Sequence, residues 1–117
     1  MIKRIISRLD VKNNFLVKGI NLEGLRILGS PENFATKYYN ENVDELVFQD
    51  VVASLYKRNQ LYELTKNISK NIFIPITVGG GIRTIEDINI ALNNGADRVS
   101  INSAAVENPK FIEKAVN

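Results

Sequence analysis

The sequence contains no cysteine and no histidine. The first absence excludes disulfides and thiolate chemistry. The second excludes histidine triads, zinc sites built on imidazole, and the side chain that most often carries protons near neutral pH. Any general acid or base must be a carboxylate, a lysine or a tyrosine. Runs of like charge and low-complexity tracts are also missing. The 15 basic and 13 acidic residues nearly cancel, so charge gives no argument for nucleic acid or membrane as a partner. No apolar run is long enough to span a bilayer. The opening MIKRIISRLD is too charged, and its apolar stretch too short, for a signal peptide. The expected location is cytoplasmic. What is present is ordinary globular composition, 44% hydrophobic and 24% charged over 117 residues, enough for one compact domain with a core.

The chain is organised around residues 73–84, FIPITVGGGIRT. An apolar, β-branched run (Ile74, Ile76, Thr77, Val78) breaks into Gly79, Gly80 and Gly81. It restarts at Thr84, an N-cap residue, with Ile85, Ile88, Ala91 and Leu92 at helical spacing. A strand thus hands a side-chain-free backbone to a turn from which a helix leaves. Amides in such a turn can approach an anion closely, and the helix N-terminus adds partial positive charge. The sequence predicts a phosphate seat; the competing reading is a tight turn that uses glycine for geometry alone. The glycines do not complete a dinucleotide fingerprint, and no Gly-Lys-Ser/Thr follows, which argues against a nucleoside triphosphate loop.

Taken in order, residues 2–11 read as a first strand with Ile5, Ile6 and Leu9 apolar and Asp10 at its end. Lys12, Asn13 and Asn14 form a turn, and residues 15–17 can pair as a ribbon with residues 25–28. Ser30-Pro31 opens a helix whose apolar face is Phe34, Ala35 and Tyr38. Residues 43–50 form a second strand ending in Asp50, followed by a helix through Leu61, Leu64 and Ile68. After the glycines and their helix, residues 97–101 form a fourth strand ending in Asn102 and Ser103. Asn108-Pro109 starts a last helix with Phe111, Ile112, Ala115 and Val116 inward. The order β-α-β-α-β-α-β-α predicts an α/β fold of four βα units on a parallel sheet. VDELVFQD and ADRVSINS, about fifty residues apart, share a pattern that suggests two weak copies of a βαβα unit.

Ligand-capable groups gather where strands end: Asp10, Asp50, the three glycines, and Asn102 with Ser103. In parallel α/β folds that rim carries the site. The plainer explanation is that Asp and Asn are common in loops and caps. Arg4, Glu45 and Arg98 mark the opposite rim, as a ring of mixed charge or simply a solvated edge. A complete eight-stranded barrel takes about 250 residues. Four units leave bare edges and an uncovered, apolar inner face, so the chain is expected to pair with a copy of itself or a missing second half, or to be one piece of a longer polypeptide; a self-contained flavodoxin-like rearrangement with helices on both faces is the alternative.

RLDVKNNFLVKG, DELVFQDVVAS, ITVGGGIRT and GADRVSINSAAVENP, in that order and spacing, resemble the cyclase subunit family of imidazole glycerol phosphate synthase, from histidine biosynthesis. The resemblance covers essentially the whole chain but only the N-terminal half of that family's barrel. It implies residues 1–117 as half of a (βα)8 TIM-type barrel and a substrate with a phosphate at each end. By motif, Asp10 matches the first catalytic aspartate. Lys18 matches the lysine of a mobile first loop that folds over substrate. Gly81, Asn102 and Ser103 fall where one phosphate is held, and Asp50 lines the site. Arg4, Glu45 and Arg98 match members of a gate through which ammonia arrives from a glutaminase partner. The family's chemistry, in which ammonia attacks the substrate while a carboxylate moves protons, requires no metal or cofactor here. Arg8 stands where the family usually has cysteine, and Ser30 where it usually has aspartate. NLEGLRILGSPENF and VVASLYKRNQL look more like cyclase-like paralogues found with surface-sugar genes, which are thought to supply ammonia for sugar amidation. A third reading is a non-catalytic phosphate-binding half-barrel that assembles with another half. The second catalytic aspartate and second phosphate site belong to a half not present in this sequence, so the chain by itself is expected to be inactive or weak as a cyclase.

Overall fold

A computed structural model describes residues 2–12, 15–20, 24–51 and 58–117. The turn expected at Asn13 and Asn14 lies outside the described residues. Six strands form one sheet: β1 (Ile6–Lys12), β2 (Phe15–Ile20), β3 (Gly24–Gly29), β4 (Glu45–Asp50), β5 (Ile76–Gly79) and β6 (Arg98–Ser100). Their order is β3-β2-β1-β4-β5-β6. The four strands of the βα units, β1, β4, β5 and β6, run parallel, as expected. The expected ribbon is present and longer than foreseen: β2 and β3 pair antiparallel along β1. The β1 edge of the parallel sheet is therefore not bare; the β6 edge pairs with no described strand.

Helices α1 (Pro31–Asn40), α2 (Arg58–Ser69) and α3 (Ile85–Asn93) follow β3, β4 and β5. Ser30 and Pro31 start α1 as their chemistry dictates: the Ser30 hydroxyl accepts from the Asn33 amide, and proline occupies a first-turn position that needs no N–H. After β6 comes a five-residue helix, α4 (Ser103–Glu107), which the sequence did not signal, and then α5 (Lys110–Val116). No helix of the described residues is long and apolar enough to cross a membrane.

The sheet's two faces differ because strand side chains alternate. Leu9, Val11, Leu46, Phe48, Ile76 and Val78 point to one face and are buried against Ala35, Leu61, Leu64, Ile68 and Ala91. Burying such side chains is worth about 1.5–3 kcal/mol each. The other face carries Ile6, Arg8, Asp10, Val47, Gln49, Thr77, Arg98 and Ser100, none of which is buried. It is mainly polar, not the apolar surface the size argument implied. Two further expectations differ from the structure. Ile5 and Ile6 are more than half exposed, so β1 contributes Leu9 and Val11 to the core instead. On α5 only Phe111 is buried; Ile112 and Val116 stay exposed beside a shallow apolar groove shared with Ile88, Val99, Ile101, Ala105 and Ala115.

Candidate functional site

The C-terminal ends of the parallel strands open into a hollow of about 620 Å³. Its wall takes Arg8 from β1, Gln49 and Asp50 from β4, Gly80 and Gly81 after β5, and Asn102 and Ser103 beyond β6. Four of the residues the sequence singled out, Asp50, Gly81, Asn102 and Ser103, are thus brought together. Each lies at or just beyond the end of a strand, so the core that buries the strand places its end at the rim.

The turn after β5 has the backbone the glycines implied. Gly80 and Gly81 adopt φ of 99° and 69°, left-handed values that a side chain disfavours. A Cβ at Gly80 would also strike the Asp50 main chain. Within the described residues no hydrogen bond engages the amides of Gly80, Gly81 or Ile82, all of which line the hollow. Three successive donors beside an open space suit an oxyanion.

The helix that leaves this turn is capped from within. Thr84 caps α3 by accepting from the Asp87 amide, and the buried Asp87 carboxylate accepts in return from Arg83 and Thr84 at 3.0 and 3.1 Å. This capping box uses the helix's own acid to satisfy its leading donors. The first turn of α3 is absent from the hollow's wall. The amides of Arg83, Thr84 and Asp87 at this helix end are thus engaged within the chain, whereas those of Gly80, Gly81 and Ile82 are not, among the described residues.

Asp10 does not line the hollow; it stands one contact behind it. Its Oδ1 accepts from Arg8 Nε at 2.8 Å, and Arg8 is in the wall. Register places Asp10 opposite Gln49, Gln49 opposite Gly79, and Gly79 opposite Ser100, one line across the inner face. The missing side chain at Gly79 makes room for Gln49, whose Oε1 would lie 2.5 Å from a Cβ there. Lys18 lies in β2 paired with Arg26, so the segment expected as a loop is a strand of the ribbon; its side chain falls outside the described residues.

At the opposite end of the strands, Arg4, Glu45 and Arg98 meet. Glu45 is buried, and its Oε1 lies 2.7 Å from Arg98 and 3.5 Å from Arg4. A carboxylate this buried, with a cation on each side, is a built cluster rather than a solvated edge.

Sequence reasoning treated Arg8 only as a departure from a pattern and passed over Gln49 and Ser100. Alternation along β1 and β4 would have put Arg8 on the face of Asp10 and Gln49 on the face of Val47. That Ser100 joins them depends on cross-strand register, which no local signal encodes.

The model of a family described as "Histidine biosynthesis protein" matches residues 4–117. Imidazole glycerol phosphate synthase subunit HisF of Legionella pneumophila is 53% identical over 109 residues, covering 93% of this chain and 51% of the relative. The protein of that name from Sulfurisphaera tokodaii is 53% identical over 113 residues, covering 97% and 45%. That from Lactococcus lactis is 50% identical over 115 residues, covering 98% and 44%. The chain spans about half the length of the curated relatives it matches.

Proposed function

The chain belongs to the histidine biosynthesis protein family, and from that premise we propose that it is the N-terminal half-barrel of a cyclase subunit of imidazole glycerol phosphate synthase. The observation that carries the proposal is the hollow whose wall combines unengaged glycine-turn amides with Asp50, Asn102 and Ser103, with Asp10 one contact away. One phosphate of a bisphosphorylated ribotide binds the amides of Gly80, Gly81 and Ile82, with Asn102 and Ser103 beside it. Asp10 is the general acid/base. Ammonia attacks an electrophilic carbon of the substrate, Asp10 moves protons as the imidazole ring closes, and cleavage yields imidazole glycerol phosphate and an aminoimidazole carboxamide ribotide. Lys18, by its motif, is a substrate-binding residue.

Ammonia comes from a glutaminase subunit docked at the opposite end, through the gate of Arg4, Glu45 and Arg98. The polar inner face between gate and hollow suits a passage once it is covered. A C-terminal half, or a second copy of the chain, supplies that cover and the second phosphate site. The assembly works in the cytoplasm without cofactor or metal. The name the relatives carry supports this reading over sugar amidation and over a non-catalytic half-barrel.

The test is to restore a C-terminal half and assay ring closure with ammonia. Turnover is expected, and Asp10→Asn should lower kcat by about 10²–10⁴-fold, the usual contribution of a positioned acid/base, with KM little changed. Normal rates in the variant would overturn the role of Asp10.

A further inference from the structure

Arg8 holds Asp10 through one contact only, Nε to Oδ1 at 2.8 Å. No other hydrogen bond of its guanidinium is present among the described residues, so the two terminal amino groups remain for another acceptor. The side chain is 62% exposed and lines the same hollow as Gly80, Gly81 and Ser103. An exposed, single-contact ion pair is weak. A phosphate dianion offers the guanidinium a fork of oxygens, a stronger arrangement than one Nε contact. The two residues sit two apart on one strand face, so the aspartate and a bound anion compete for one cation.

We propose that Arg8 is a phosphate-binding residue of the hollow and is shared with Asp10: arrival of the anion draws the guanidinium off the carboxylate and leaves Asp10 open for proton transfer. This rests on the phosphate reading of the hollow and adds to it a switch between an empty state, with Asp10 occupied by Arg8, and a filled state, with Asp10 released.

The experiment is calorimetric titration of the 117-residue chain with inorganic phosphate at low ionic strength, for the unaltered chain, Arg8→Gln, Asp10→Asn and the double variant, with circular dichroism to verify folding. Arg8→Gln should weaken binding about tenfold, the scale of one hydrogen bond to a charged group. Arg8→Lys, which keeps the charge without the fork, should recover part of the loss. Asp10→Asn should tighten binding several-fold when Arg8 is present and leave it unchanged when combined with Arg8→Gln. Equal tightening with and without Arg8 would reduce the effect to through-space repulsion and overturn the sharing. Unchanged affinity in Arg8→Gln would overturn the role of Arg8 while leaving the phosphate seat intact. No binding by the unaltered chain would overturn the seat and the switch together.

Discussion

A single side chain added at the glycine turn is enough to test the seat. Gly81→Val places a β-branched side chain at a φ of 69°, where left-handed backbone costs an L-residue about 1–2 kcal/mol. The expected result is a stability loss of about that size by urea denaturation, together with weaker binding of inorganic phosphate. Lost stability with unchanged affinity would leave only a turn. Residues of this kind were legible in the sequence because the apolar runs before them determine where they emerge: Asp50 closes its strand, and Gly81, Asn102 and Ser103 follow strands whose ends the core fixes. Arg8 was visible only as an odd residue, since its pairing with Asp10 depends on rotamer and on the open face above it. Gln49 was hidden for another reason. Its place over Gly79 is set by the register between β4 and β5, two strands separated by a helix and more than twenty residues.

At the scale of an element, α3 shows how a start signal carries a second contact that spacing alone does not announce. Thr84 was legible as the N-cap, but the return contact from Asp87 was not weighed, and it is that contact which occupies the helix end. Asp87→Ala removes the acceptor for two amides. It should cost about 1–2 kcal/mol in thermal or urea unfolding, the scale of a lost cap, and leave phosphate affinity essentially unchanged, because α3 lies outside the wall of the hollow. A marked loss of affinity would restore the helix to the seat. The ribbon β2–β3 was legible from its apolar runs, whereas α4 was not. Five residues give no periodic signal, and no side chain caps its start. In α5 the spacing of Phe111, Ile112, Ala115 and Val116 was read as one inward stripe; the structure buries only its first member.

Across the whole molecule, alternation of strands and helices was enough to give parallel topology, because βαβ connections have one favoured hand. The order of faces was not legible from it, and the uncovered face is polar where an apolar one was expected. If a second half completes the fold, it should also cover the groove beside β6. Ile112 is half exposed there, and burying it on assembly is worth about 1.5–3 kcal/mol. Ile112→Lys should therefore weaken association with a C-terminal half by at least about tenfold in analytical ultracentrifugation while leaving the melting temperature of the isolated chain near its original value. Equal association would move the contact elsewhere.

Glu45 has a mechanical consequence. Its buried carboxylate on β4 reaches Arg98 on β6 past the intervening β5, and Arg4 on the approach to β1. It is thus a clasp that ties the starts of β4 and β6 and the approach to β1 together at the bottom of the sheet. Glu45→Gln would loosen that tie and leave the spacing of the strand starts to backbone pairing alone.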